Sequence, residues 1–246
     1  MNFQDLLGPP SALFLDFDGT LVDLAPQPDA IQVPAGLVTT LALLRDRLDG
    51  ALAVISGRPI AQLDAYLAPL VLPASGVHGA ERRSADGQVH LLPAYSLAHV
   101  EVAARTLLLR HPELQIEHKR GSLAVHYRGK PELEGACIIA MQAAVDQSPG
   151  LTLLRGKMVV EAKPAGASKG RAIEAFLREA PFAGRKPVFA GDDITDEPGF
   201  GAVQRAGGVG IKIGEGESIA GLRMVSPATL RLELQNFAAA GERALP

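Results

Sequence analysis

Three short apolar runs in this chain lack alternation, and each stops at a charged or glycine-containing turn. Ala12–Leu15 stops at Asp16, Leu52–Ile55 at Ser56-Gly57, and Pro187–Ala190 at Gly191-Asp192. A strand that is apolar on both faces has to be buried on both, as in a parallel sheet covered by helices. Helical spacing lies between the runs. Leu37, Leu41, Leu44 and Leu48 share one face, and Ile173, Phe176 and Leu177 share another in Ser168–Ala180, with Ser168 as the N-cap. Strand–helix alternation of this kind reads as a doubly wound α/β fold, which gathers its ligands at the carboxyl ends of the strands.

The middle of the chain follows another rhythm. In Ser122–Arg128, Leu123, Val125 and Tyr127 alternate with Ala124, His126 and Arg128. In Lys157–Lys163, Met158, Val160 and Ala162 alternate with Lys157, Val159, Glu161 and Lys163. Period two with one polar face predicts antiparallel strands, and Leu97–Leu109 and Leu133–Val145 are amphipathic enough to cover the apolar face. The expected organisation is a core of residues 1–92 and 164–246 with a smaller α+β module, 93–163, inserted into it.

Composition narrows the function. Of 246 residues, 47% are hydrophobic and 21% charged, which excludes a disordered chain. A formal net charge of -3 provides no basic field for nucleic acid or a membrane surface, and a single cysteine, Cys137, excludes an internal disulfide framework. Asp16 and Asp18 interrupt the only apolar stretch near the N-terminus, so no secretion signal or bilayer span is read there. The expectation is a cytoplasmic protein acting on a small molecule, with no nucleic-acid or membrane partner.

Chemistry concentrates at the strand ends. Asp16-Phe17-Asp18-Gly19-Thr20 places two carboxylates beside a buried strand, where both stay ionised only if a cation compensates them. An oxygen-only set suits Mg²⁺. A calcium loop of the EF-hand kind fits poorly, because it needs another acid or amide before the glycine. Gly19 permits a sharp turn, and Thr20 adds a hydroxyl and a helix cap. Ser56-Gly57-Arg58 offers a hydroxyl, backbone N–H groups and a guanidinium to an oxyanion. Lys169 stands at a helix start, where dipole and ammonium both favour phosphate. Gly191–Glu197 holds Asp192, Asp193, Asp196 and Glu197. Each piece alone is an ordinary turn or cap; together on one rim they specify a site.

The order of these segments resembles the haloacid dehalogenase-like (HAD) phosphohydrolases with a type-two cap. Asp16, Asp18, Thr20, Ser56, Lys169, Asp192 and Asp196 fall on the four motifs of that superfamily. Within it, Ser56–Pro59, Gly76–Glu81, Ala124–Arg128, Val160–Pro164 and Gly191–Glu197 resemble the bacterial trehalose-6-phosphate phosphatases. The resemblance implies a HAD-like core with an inserted cap. It also implies Mg²⁺-dependent hydrolysis of trehalose 6-phosphate through an aspartyl-phosphate. Asp16 would then be the nucleophile and Asp18 the general acid and base. Asp16, the Asp18 carbonyl and Asp192 would hold Mg²⁺, Ser56 and Lys169 the phosphoryl group, and Asp193 and Asp196 would orient Lys169 and metal-bound water.

Sugar selectivity is expected from the polar face of the inserted module, with Lys119 (in the turn before the first strand), His126 and Glu161 on the glucose hydroxyls and Arg58 on the substrate. A solvated face with cross-strand ion pairs is the plainer reading of the same residues. The core motifs read only the phosphoryl group, so other sugar phosphates such as sucrose 6-phosphate, a phosphomutase reaction and a non-catalytic sugar-phosphate sensor stay open at this point.

Overall fold

The computed structural model of the chain describes residues 6–8, 10–25 and 30–242. Contacts divide it into two compact units, Met1–His90 with Ser168–Pro246, and Leu91–Ala167. Patterning places the inserted span at 93–163. The smaller unit reaches further because β9 (Val159–Pro164) continues through Pro164, and Ala165 N–H donates back to the Gly150 carbonyl at 2.9 Å.

In the larger unit, β1 (Ser11–Leu15) is buried at every residue. It lies between β2 (Leu52–Ile55) and β10 (Lys186–Gly191), parallel to both. The other strands of this sheet are β3 (Ala74–Gly76), β4 (Glu81–Arg83), β5 (Val89–Leu91), β11 (Val209–Ile213) and β12 (Leu222–Met224). Their order is β12-β11-β10-β1-β2-β3-β4-β5, parallel from β12 to β3 and antiparallel at β3–β4. Helices α1 (Leu37–Arg47) and α7 (Pro227–Glu242) pack together, as do α5 (Lys169–Phe176) and α6 (Glu197–Arg205), while α2 (Ile60–Leu67) leans on β3 and β4.

The predicted cap and buried face of α5 are present, with one adjustment. Ser168 Oγ accepts the Arg171 N–H at 3.1 Å, and Ile173 and Phe176 are buried. The helix ends at Phe176 rather than Ala180. Its last turns tighten into Arg178 N–H to Ala175 and Glu179 N–H to Phe176 bonds ahead of Pro181, which has no N–H to continue a helix. The core of this unit is aromatic beneath β1: Phe14 stacks on Phe182 at 5.3 Å between centroids and meets Phe176 at 6.0 Å.

The smaller unit is a four-stranded antiparallel sheet in the order β6-β7-β9-β8, with β6 Gln115–Lys119, β7 Ser122–His126 and β8 Leu151–Gly156. Leu123, Val125, Val160 and Ala162 form one apolar cluster with Val100 and Leu107 of α3 (Ala98–Arg110) and Cys137 and Met141 of α4 (Glu134–Asp146). Three sequence expectations are corrected here. Lys157 and Met158 are the turn between β8 and β9, with Met158 at φ 62, not the start of a strand. Lys119 ends β6 instead of lying in a turn, and Arg128 lies beyond β7. Among the described residues no helix is long and apolar enough to cross a membrane.

Replacing Phe14 by Ala removes a fully buried ring from under the strand that leads to Asp16. The expected cost is about 3–5 kcal/mol, read as a lower urea midpoint. Leu109→Ala, on an 85% exposed side chain, should change stability by less than about 0.5 kcal/mol.

Candidate active site

The parallel register carries Asp16 past the end of β1, where its N–H still donates to the Ala190 carbonyl of β10 at 2.9 Å. This single ladder bond sets Asp16 beside Gly191 and the acidic segment that follows it. Gly191 has no room for a side chain, because a Cβ there would overlap the Asp196 carboxylate.

Lys169 enters from the first turn of α5. Its Nζ donates to Asp16 Oδ1 at 2.6 Å and to Asp196 Oδ1 at 2.7 Å, and all three side chains are buried. Burial alone would lower the Lys169 pKa, but the two carboxylates outweigh it and hold the ammonium charged. The other Asp196 oxygen accepts the N–H groups of Asp192 and Asp193, both at 3.0 Å. Asp193 completes a reciprocal capping box on the turn Ile194–Asp196. Of the two acids expected to orient Lys169 and metal-bound water, Asp196 accepts a hydrogen bond from Lys169 and Asp193 lies in the loop's capping box.

Thr20 differs from expectation. The residues after Asp18 form a tight turn, with Gly19 N–H donating to the Val22 carbonyl at 2.8 Å, and no helix starts at Thr20. The Thr20 hydroxyl donates instead to Asp16 Oδ2 at 3.2 Å. Gly19 sits at φ 76, and a Cβ on it would overlap the Asp192 carboxylate, so only glycine lets these two segments meet.

Asp16, Asp192 and Asp196 each place a carboxylate oxygen within 4.8 Å of the others, a grouping able to hold a metal ion. One ammonium does not balance this charge. Burial first, then Asp196, pushes the Asp192 carboxyl up to about 6. Burial also raises Asp16 well above the usual carboxylate range, against the pull of Lys169 and with the push of Asp196 and Asp192. Asp196 accepts three hydrogen bonds, from Lys169 and the two loop amides, and Asp16 accepts two, from Lys169 and Thr20, so the three carboxylates form an oxygen-only cluster. Such a donor set fits a hard divalent cation.

Ser56 follows β2. It is fully buried, its N–H donates to Ser75, and its Oγ accepts the Arg58 N–H at 3.1 Å. The Arg58 guanidinium grips both oxygens of Asp18, Nε to Oδ2 at 2.7 Å and Nη2 to Oδ1 at 2.8 Å, and lies 5.2 Å from the Tyr66 ring centroid. A cavity of about 590 Å³ opens beside this rim, walled by Asp192, Asp193, Ile194, Lys212 and Ile219.

The polar face of the smaller unit is a bonded network. Glu161, 3% exposed, accepts from Ser122 Oγ at 2.7 Å and from Lys119 Nζ at 3.1 Å. His126 Nε2 lies 2.9 Å from Glu117 Oε2, and that hydrogen bond holds the Glu117 carboxyl below its usual range. The expected residues Lys119, His126 and Glu161 thus share a face. Sequence reasoning passes over Glu117, whose signal is its alternation with Lys119, and Lys212, whose signal is a charge inside the apolar run Val209–Ile213.

Two solved structures share this architecture. The C. albicans trehalose-6-phosphate phosphatase C-terminal domain superposes with a TM-score of 0.86 over 97% of both chains at 20% identity. A Bacteroides thetaiotaomicron phosphatase of the HAD superfamily does so with a TM-score of 0.62 over 92% of this chain and 94% of that one at 17% identity. At those identities the likeness is one of fold alone. Residues 14–224 match the family described as trehalose-phosphatase. The Escherichia coli trehalose-6-phosphate phosphatase is 46% identical over 215 residues, 87% of this chain and 81% of the relative. The chain belongs to the trehalose-phosphatase family.

The raised Asp192 carboxyl has a measurable consequence. A carboxyl whose folded pKa exceeds its unfolded value stabilises the fold at low pH, and that contribution is lost as pH rises through the folded value. In chelator, the melting temperature should fall between pH 5 and pH 7. Asp192→Asn should flatten that fall and raise the pH 7 melting temperature by a few degrees, at ~2–4 °C per kcal/mol for a chain of this size. An unchanged slope in the variant would contradict the assignment of the charge imbalance to Asp192.

Proposed function

We propose that this protein hydrolyses trehalose 6-phosphate to trehalose and inorganic phosphate, the last step of trehalose synthesis, with Asp16 as the nucleophile. The observation that carries the chemistry is the Asp16 carboxylate, clamped on one oxygen by Lys169 and on the other by Thr20 at the end of the central strand. The substrate rests on the likeness to the E. coli enzyme across 87% of the chain.

In this reading Asp16 attacks phosphorus in line while the bond from phosphorus to the sugar oxygen breaks. Asp18 protonates the departing oxygen, leaving an aspartyl-phosphate. Asp18 then takes a proton from a water that attacks the same phosphorus, which releases phosphate and restores Asp16. Ser56 Oγ and Lys169 Nζ hold the phosphoryl oxygens, since phosphoryl transfer is catalysed mainly by positioning and charge. Mg²⁺, held by the Asp16 and Asp192 carboxylates and the Asp18 carbonyl, supplies neutralisation of phosphoryl charge when bound. Asp193 and Asp196 support this set through the loop and Lys169. Arg58 forks Asp18, and a phosphate group offers its guanidinium an equivalent pair of oxygens.

Selectivity is assigned to the smaller unit. A disaccharide presents hydroxyls and little apolar surface, so its reader needs polar groups already locked in place. Lys119, His126 and Glu161 are such groups, held by Ser122 and Glu117.

Phosphate release from trehalose 6-phosphate should require Mg²⁺ and vanish in Asp16→Asn, with sucrose 6-phosphate and glucose 6-phosphate far slower. Comparable release from all three esters would discard the substrate and keep the phosphatase. Glu161→Ala should lose about tenfold to a hundredfold in kcat/KM on trehalose 6-phosphate, the loss for a charged hydrogen-bond partner. Hydrolysis of p-nitrophenyl phosphate should be nearly unchanged. Equal kinetics on the sugar ester would remove Glu161 from substrate recognition.

A further inference from the structure

We propose that Lys212 is a positioning residue of the cation site, fixing the main chain of Asp192 so that its carboxylate is aimed at the ion. The proposal rests on the reading that Asp16 and Asp192 hold Mg²⁺.

Lys212 lies in β11 between Ile211 and Ile213, which are 1% and 2% exposed, and is itself 6% exposed. Burying an ammonium costs several kcal/mol unless it is well satisfied, and an aliphatic side chain would fill this strand position without that cost. The sheet register pairs Lys212 with Gly191, the residue before Asp192. From there Nζ donates to the Asp192 carbonyl and, at 3.3 Å, to the Ile213 carbonyl. The ammonium is thus satisfied by carbonyl oxygens of the loop and strand.

Asp192 is consequently held at both ends of its residue. Its N–H is fixed by Asp196 Oδ2 at 3.0 Å, its carbonyl by Lys212, and its carboxylate lies in the space left by the absent side chain of Gly19. Only the two side-chain torsions of Asp192 remain to be set by the ion. Groups that orient a metal ligand typically change metal affinity by about 10–100-fold when removed.

A positive charge near a cation site can also act by field alone, and the two roles have opposite signs. If Lys212 acts only as a charge, removing it relieves repulsion, and in the titration buffer, made alkaline enough to keep Asp192 ionised in every variant that retains it, Mg²⁺ binds more tightly. If it positions Asp192, removing it loosens the ligand and Mg²⁺ binds more weakly, despite the relieved repulsion.

The test is titration of MgCl₂ into substrate-free protein by calorimetry, comparing the wild type, Asp192→Asn and Lys212→Met. The expected result is about tenfold or more weaker binding in Lys212→Met while the variant stays folded by circular dichroism. Equal or tighter binding in that variant would overturn the proposal. Should Lys212→Met not fold, Lys212→Gln is titrated in its place: weaker binding supports the positioning role, and equal or tighter binding overturns it. Wild-type protein that binds no Mg²⁺, or Asp192→Asn that binds it as well as wild type, would overturn the underlying metal reading and the proposal with it.

Discussion

A buried ammonium between two buried carboxylates organises the larger unit of this protein. Lys169 joins Asp16, 153 residues away in the chain, to Asp196, 27 residues away, with contacts of 2.6 and 2.7 Å. Removing one member of such a set leaves an uncompensated charge in the interior, at a cost of about 3–5 kcal/mol. The rest of the site hangs from these contacts. Because Asp196 is fixed by Lys169, its second oxygen can anchor the amides of Asp192 and Asp193. Because those amides are anchored, the Asp192 carboxylate meets Asp16 across Gly19. Burial first, and then the crowding of the carboxylates on one another, raises Asp16 and Asp192 together and makes the cluster receptive to a divalent cation.

The two units solve different problems with different sheets. A parallel sheet buried on both faces is rigid and delivers Asp16, Ser56 and Asp192 from three adjacent strands to one rim. That geometry suits a group such as phosphoryl, whose oxygens are the same in every ester. The antiparallel sheet of the smaller unit keeps one face apolar against its helices and leaves the other for polar side chains. There Glu161 is buried yet doubly bonded, so its carboxylate is held in one orientation.

Much of this is legible in the sequence because burial writes itself into periodicity. Runs apolar at every residue suit doubly covered strands, so β1, β2 and β10 and the polar residues that follow them are readable. What escapes has equally physical causes. β6 and β8 are the edges of their sheet, and in β6 only Ile116 of the five residues is aliphatic, as suits an exposed edge. The β8–β9 turn uses Lys157-Met158 in place of the Asn-Gly or Asp-Gly pair that announces a hairpin, so alternation alone starts the strand two residues too early. Thr20 carries a capping signature, but the chain turns instead, and its hydroxyl serves Asp16. Lys212 shows in the sequence only as a charge inside the apolar run Val209–Ile213, and because its partner is a backbone carbonyl, no residue type points to where that charge is used.

Covalent phosphorylation of Asp16, held in place by Lys169, is the step on which the proposed chemistry stands or falls. It is tested by mass spectrometry of acid-quenched protein after mixing Asp18→Asn with p-nitrophenyl phosphate and Mg²⁺: p-nitrophenolate leaves without the proton that Asp18 gives a sugar oxygen, so the intermediate still forms, and loss of the proposed base should let it accumulate. The expected result is one added phosphoryl group, located on the peptide containing Asp16 and absent from an Asp16→Asn, Asp18→Asn double variant. Phosphate released in stoichiometric amount with no adduct at any time point, or an adduct on another residue, would contradict it.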